Sequence, residues 1–179
     1  MNLYLRSLLV LFLFFNIANT SFAQSDNSDA PEMRNELKLN TFYMVLGAAE
    51  INYERVINEE SSFGIAGTFV FEEDSFWKWG ITPYYRIFFS QGHARGFFVE
   101  GHASVFGYED FRWIWDQNGV TSFTEDEGTS AGLGVSIGYK VLTSRNLVAE
   151  VYGGVGRIFK EINFDSIYPR FGISVGKRF

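Results

Sequence analysis

Apolar residues alternate with small or polar residues, at a period of two, from Glu36 almost to the end of the chain. In SAGLGVSIGYKV, residues 130–141, the odd positions are apolar or aromatic, while the even positions are glycine, serine or lysine. Successive side chains of a β-strand point to opposite faces, so this pattern predicts strands with one bulky apolar face. The alternation predicts eight strands, at 36–47, 49–57, 62–72, 77–89, 96–116, 120–142, 147–159 and 167–179.

The residues on the second face indicate which side of the sheet is the interior. Glycines fit a crowded interior in which a large side chain needs a small neighbour, and charged residues fit there only if they pair. Segments of about ten residues, apolar outside and polar inside, are typical of transmembrane barrels. We therefore predict an all-β fold, an eight-stranded antiparallel transmembrane up-and-down β-barrel. The alternative is a soluble secreted β-barrel that binds an apolar ligand and turns its apolar residues inward.

The composition agrees with a barrel in lipid. Aromatic residues make up 18% of the 179 residues, a content that a barrel can carry on its lipid-facing outside. The net charge of -6 and the absence of a basic patch argue against a nucleic-acid partner. A cysteine count of 0 excludes disulfides, thiolate metal sites and a lipid-modified cysteine anchor.

The first residues have the pattern of a secretory signal peptide. Arg6 supplies a positive charge, the apolar run Leu8 to Ile17 is too short to span a membrane easily, and Ser21-Phe22-Ala23 offers small residues for cleavage before Gln24. We predict a signal peptide over 1–23, a flexible leader over 24–35 and a barrel domain over 36–179. The predicted location is the bacterial outer membrane.

The connection around residue 118 predicts a long hairpin. A three-residue loop at 117–119, with Gly119 left-handed, keeps odd positions opposite odd ones. This loop sets three large interior residues opposite small ones: Phe98 opposite Gly138, His102 opposite Gly134, and Phe106 opposite Ser130. Because a strand needs only about 9–11 residues to cross lipid, we expect residues 109–127 to protrude as a two-stranded ribbon.

Four tryptophans lie near the same end of the predicted barrel. Trp77 and Trp79 have the parity and position of an aromatic belt at the level of the lipid headgroups. Trp113 and Trp115 fall on the ribbon, where they are candidates either for ribbon packing or for a binding surface. Acidic residues on the ribbon match no known calcium loop and fit a solvated edge, so we predict no metal site.

Charged residues at even positions share the predicted interior: Lys38, Glu50, Glu54, Lys78, Arg86, Glu100, Lys140, Glu150, Arg170 and Arg178. The register predicts cross-strand ion pairs between Arg86 and Glu100 and between Lys140 and Glu150, with Arg178 one strand further on. Since side chains fill the interior of an eight-stranded barrel, these pairs predict a plugged lumen. A narrow path for protons or ions is the alternative.

The histidines do not form an evident catalytic group. His93 falls in a turn, whereas His102 shares the interior face with Glu100 and Ser104. Alternate residues of a strand stand about 7 Å apart, too far for a direct bond between nucleophile and base. We predict no catalytic residues and no cofactor, and keep a membrane-embedded lipid-modifying enzyme as an alternative.

The chain resembles the small eight-stranded outer-membrane barrels of the OmpA/OmpX type. The segments NELKLNTFYMVLGAAEINYERVINEESSFGIAG and YPRFGISVGKRF resemble more closely an uncharacterised bacterial family of such barrels. The terminal pattern resembles the signal that the barrel-assembly machinery reads in outer-membrane proteins, and it comprises Phe171, Ile173, Val175 and Phe179. Lys177 departs from this pattern, since that position is commonly aromatic or apolar. The resemblance implies no substrate.

These observations together predict a structural or adhesive protein of the outer membrane. Its expected partners are membrane lipid and the assembly machinery, together with a protein or a surface glycan that contacts the 109–127 ribbon by edge pairing or through its aromatic face.

Overall fold

The computed structural model describes residues 33–72, 75–90, 94–115, 121–159 and 167–179, and within these the side chains of 110–115 and 121–126 are excepted. The predicted signal peptide, nearly all of the leader, His93 and the 117–119 loop lie outside the described residues. The elements are β1 (Asn35–Asn40), α1 (Thr41–Val45), β2 (Ala48–Asn58), β3 (Ser61–Val70), β4 (Trp77–Phe88), β5 (Gly96–Trp115), β6 (Thr121–Leu142), β7 (Leu147–Ile158) and β8 (Ile167–Arg178).

The strands form a closed barrel in which each strand pairs with its sequence neighbours and β8 pairs with β1, always antiparallel. The all-β, eight-stranded antiparallel fold is thus confirmed. The closing seam runs from Glu36 opposite Arg178 to Asn40 opposite Ser174. Beyond it, Asn35 and Phe179 exchange backbone hydrogen bonds of 3.0 and 2.7 Å. Among the described residues, no helix combines the length and apolar character needed to cross a membrane.

The first predicted strand was wrong in its second half, because β1 stops at Asn40 and α1 follows. The side chain of Asn40 caps this helix by accepting hydrogen bonds from the backbone N–H groups of Phe42 and Tyr43, at 3.2 and 3.4 Å. Residues 42–46 are continuously apolar and do not alternate. Gly47, with a φ of 85°, then turns the chain into β2 in the left-handed conformation that glycine favours after a helix.

Side chains divide between the two faces of the barrel by parity. Large apolar residues that are exposed on the strands are all odd-numbered, as Leu37, Ile81 and Ile137 illustrate, whereas the buried charged residues are all even-numbered. The interior of the barrel is therefore the polar face, and the exterior is the apolar one.

The predicted β5–β6 register is confirmed. Phe98 lies opposite Gly138, His102 opposite Gly134, and Phe106 opposite Ser130. The same ladder continues to Trp115 opposite Thr121, beyond the last pairing of β4 at Tyr108 and of β7 at Gly132.

One register shift changes the expected face of a tryptophan. The β4–β5 ladder slips between Trp77 and Trp79, so that Trp77 lies opposite the even-numbered Tyr108. Trp77 consequently packs edge-on against the interior residue Phe106, with ring centroids 4.2 Å apart, while Trp79 stays on the outside and is 39% exposed. A β-bulge adds one residue to one strand, so that the residues of this strand on its two sides follow opposite parity.

We expect adjacent glycines of β7 to respond oppositely to alanine. A Cβ on Gly154 would collide with the backbone of Val135 and Ser136, whereas a Cβ on Gly153 would meet nothing within 4 Å. Gly154→Ala should therefore destabilise the refolded barrel by about 1–3 kcal/mol, and Gly153→Ala should be close to neutral. Urea unfolding of the refolded protein measures both, and equal midpoints would contradict the assignment of the two faces.

Candidate functional site

The barrel interior holds ten buried charged side chains in the part of the chain that the structure describes. Five are carboxylates and five are cations, so their formal charges cancel: Glu36, Glu50, Glu54, Glu100 and Glu150, with Lys38, Arg86, Lys140, Arg170 and Arg178. A buried charge is costly unless it is paired and hydrogen-bonded. Because carboxylates and cations are equal in number, each buried charge can pair with an opposite charge inside the closed barrel.

Glu54 lies at the centre of this network. Its Oε2 accepts hydrogen bonds from Nη1 of Arg86 at 2.7 Å and from Nζ of Lys38. Its Oε1 accepts from Oγ of Ser62 at 2.6 Å and from Nζ of Lys140. One carboxylate from β2 thereby joins cations from β1, β4 and β6, which ties distant strands together across the lumen.

The network extends to the end of the barrel where β1 begins and β8 finishes, which we call the closed end. Glu36 binds Nζ of Lys140 at 2.9 Å and Nη2 of Arg178 at 2.6 Å. Arg178 also donates from Nη2 to the carbonyl oxygen of Ala94 at 3.2 Å. An apolar cluster that includes Phe88 and Phe98 fills the same end of the barrel.

The structure brings together one of the two ion pairs that the register predicted. Nε of Arg86 donates to Oε2 of Glu100 at 2.8 Å. Lys140 lies opposite Glu150 in the β6–β7 ladder, but its ammonium group binds Glu36 and Glu54 instead. Glu150 accepts from Lys38 and Arg86, each at 2.8 Å. In a lumen this narrow, a long side chain reaches across the barrel as easily as along the ladder.

Aromatic rings complete the surroundings of Arg86. Its guanidinium carbon lies 4.4 Å from the ring centroids of both Tyr84 and Phe98. Stacking of a guanidinium on aromatic faces adds attraction and excludes water from the ion pairs beside it. Nη2 of Arg86 nevertheless lacks a hydrogen-bond partner among the described residues.

A second branch of the network leads towards the opposite end, which we call the ribbon end. Arg170 donates from Nε to Glu100 at 2.8 Å and lies 3.6 Å from Glu50. Glu50 also accepts hydrogen bonds from Tyr152 at 2.7 Å and from Asn40 at 3.0 Å. The parity pattern places Asn40 inside the barrel. Its two further roles, capping α1 and donating a hydrogen bond to the carboxylate of Glu50, depend on where β1 stops.

His102 forms contacts that the strand spacing did not predict. Its Nδ1 lies 3.5 Å from Glu100 Oε1 and 3.4 Å from Ser136 Oγ, on the neighbouring strand. Glu100 comes closer to His102 than the strand spacing of about 7 Å, because side chains on one strand can lean towards each other. Glu100 and Ser136 both approach Nδ1 of His102. In a catalytic triad the acid and the nucleophile bind different nitrogens of the histidine ring. Ser104 instead bonds to Thr82 at 3.0 Å and Tyr168 at 3.2 Å.

A cavity of about 270 Å³ lies inside the barrel, between the ion network and the ribbon end. Its polar floor comprises Glu50, Arg170, Thr82 and Ser104, and its lining is otherwise mainly apolar.

The remaining candidate residues lie apart from the network. Phe171, Ile173, Val175 and Phe179 occupy odd positions from 171 to 179, along β8 and its end, with Lys177 at the remaining odd position of this range. Phe171 also supports α1 through an edge-on contact with Phe42, with ring centroids 5.2 Å apart. The side chains of Trp113 and Trp115 lie outside the described residues. No group of three or more potential metal ligands occurs among the residues that the structure describes.

Removing the charge at the centre of the network should destabilise the barrel strongly. Glu54→Gln keeps the shape of the side chain but leaves buried cations without their shared counter-charge, an imbalance that costs about 3–5 kcal/mol in comparable sites. Glu109→Gln is the control, because Glu109 pairs with Lys78 at 2.6 Å in a partly exposed position, where a pair contributes about 0–1 kcal/mol. The urea midpoints of the two refolded variants compare the two losses, and an equal loss would contradict a central role for Glu54.

Comparison with known proteins assigns the chain to a protein family. A family model described as "Protein of unknown function (DUF3575)" matches residues 9–170, which include every described element up to the first residues of β8. No curated protein and no solved structure gives a significant match. The chain therefore belongs to the DUF3575 family.

Proposed function

We propose that this chain is a bacterial outer-membrane protein, exported by the signal peptide at 1–23 and similar in architecture to the OmpA/OmpX-type barrels. The observation that carries the proposal is a closed barrel with an apolar exterior around a charge-neutral interior. In water, exposed side chains such as Ile51, Phe63 and Val135 would form an unusually large apolar surface. In lipid the same surface is solvated, and the pairing of β8 with β1 from Glu36 to Asn40 closes the sheet.

The distribution of polar groups also favours a membrane over a soluble ligand-binding barrel. A soluble barrel of this kind would turn its apolar residues inward, whereas here the ion network occupies much of the lumen. A wide pore is incompatible with a lumen in which Arg86, Tyr84 and Phe98 are fully buried in contact with one another.

The proposed role is structural or adhesive, and the contact surface is the protruding β5–β6 ribbon. The residue pairs of this ribbon run from Glu109 opposite Glu127 to Trp115 opposite Thr121. Over this length, β5 and β6 pair with each other and with no other strand that the structure describes. Exposed strand edges pair readily with a further strand, so the ribbon suits contact with another protein, while its tryptophans suit a surface glycan.

Cell fractionation tests the location. The full-length protein should be recovered with outer membranes, and its gel mobility should change on boiling because a closed barrel resists unfolding by detergent at room temperature. A soluble periplasmic marker and a known outer-membrane barrel serve as controls. Recovery as a soluble protein without a mobility change would overturn the proposal.

Replacement of residues 110–126 by Asn-Gly tests the role of the ribbon. Glu109 and Glu127 already face each other, so a two-residue turn should close the hairpin there and leave the barrel intact. We expect the variant to keep its boiling-dependent mobility but to reduce cell aggregation and attachment to arrayed glycans. Cells that display equal amounts of the two proteins provide the comparison. Unchanged aggregation and attachment would contradict an adhesive role.

A further inference from the structure

The cavity at the ribbon end combines apolar walls with a floor that offers no unbalanced charge. Tyr43, Trp77, Phe106 and Tyr168 contribute aromatic surface to its lining. An engineered cavity of about 150 Å³ with apolar walls already binds benzene, so about 270 Å³ is ample for a larger hydrocarbon group. The walls therefore favour an apolar occupant.

Most polar groups of the floor already have partners, although Nη2 of Arg170 has no hydrogen-bond partner among the described residues. Thr82 and Ser104 share a hydrogen bond of 3.0 Å, Tyr168 donates to Ser104 at 3.2 Å, and Arg170 lies 3.6 Å from Glu50. Polar or charged ligands would have to replace these bonds, and each unpaired group would be costly. The floor thus holds one anion and one cation and carries no net charge that would select an ionic ligand, so the apolar walls determine what enters.

One side of this cavity is closed by side chains instead of a strand. Since β1 stops at Asn40, opposite Ser174, the residues of β8 from 167 to 173 have no β1 neighbour. Asn40 donates to the carbonyl oxygen of Phe171 at 3.4 Å, and Thr41 donates to that of Ile173 at 2.9 Å. Pro169, on the same edge, has no N–H to offer a further strand.

The same side is continuous with the apolar exterior. Leu46 lines the cavity and is 54% exposed, and its neighbours Val45 and Phe42 are exposed as well. An entry between α1 and β8 would require side chains to move, which they do in picoseconds to nanoseconds at exposed positions, without breaking a backbone ladder.

We propose that this cavity takes up one acyl chain of a membrane lipid through the side wall between α1 and β8. The inference rests on the membrane location proposed above, and it assigns to the interior a lipid-binding site close to the outer leaflet. The headgroup stays outside the wall, and the hydrocarbon chain occupies the space beside Phe106 and Tyr168.

Photo-crosslinking in vesicles tests this binding site. The folded protein is reconstituted in phosphatidylcholine vesicles that contain a small fraction of phosphatidylcholine with a diazirine in the middle of one acyl chain. We expect crosslinks at inward-facing residues of the cavity, Phe106 and Tyr168, in addition to those at outward-facing residues such as Ile137 and Leu133. Mass spectrometry of the digested protein distinguishes the two faces, because inward and outward residues alternate along each strand.

Two glycine variants provide the matched comparison. Gly80 lines the cavity and has room for a Cβ, with its nearest neighbours at 3.8 Å, so Gly80→Leu should fill the space and lower the crosslinking of Phe106 and Tyr168 several-fold. Gly67 belongs to the adjacent strand and faces outward with nothing within 4 Å, so Gly67→Leu should leave these crosslinks unchanged. The boiling-dependent mobility shift checks that both variants fold.

The outcomes separate this inference from the proposed location. Crosslinks confined to outward-facing residues of the wild-type protein would overturn the acyl-chain site and leave the membrane location standing. Failure to enter vesicles, with no crosslink on either face, would overturn both. Inward crosslinks that persist at the same level in Gly80→Leu would also overturn the site, because they could not come from a chain in this cavity.

Discussion

Neutralisation of buried charge inside a closed wall is the constraint on which the rest of this structure depends. Ten charged side chains of the described residues are withdrawn from water, and each carboxylate contacts at least one cation contributed by another strand. Such pairs add little stability over an apolar core, but the loss of one partner is severely destabilising. The network therefore specifies the barrel more than it strengthens it, because a slipped register would separate the charges that it joins.

Strand register satisfies that constraint together with the packing of large groups. The ladder that places Arg86 opposite Glu100 also places Phe98 opposite Gly138 and His102 opposite Gly134. A one-residue slip would exchange the two faces, turning charges towards the exterior and bulky apolar groups into a lumen without room for them. Electrostatics and steric fit thus select the same register, which is the mutual consistency expected of a sequence that folds to one structure.

The early end of β1 divides the interior into two parts that are filled differently. Towards the closed end, the ion network and the cluster around Phe88 and Phe98 fill the lumen. Towards the ribbon end, α1 replaces a strand, and a cavity with a wall of side chains remains. The barrel is thus filled at one end and hollow at the other, and the ribbon extends beyond the hollow end. This division links the proposed contact role and the proposed lipid site to one feature of the chain.

The sequence by itself determined the number of strands, the parity of the two faces and the β5–β6 register, because these follow from a period of two and from the pairing of large with small residues. Other features were decided only by tertiary structure. Asn40 ends a strand because Phe42 and Tyr43 find Phe171 to pack against, and Trp77 turns inward because a bulge shifts its ladder. Lys140 passes over its ladder neighbour Glu150 to reach Glu36 and Glu54. Local alternation encodes which face a side chain occupies, whereas its partner across a narrow lumen depends on the positions of all eight strands at once.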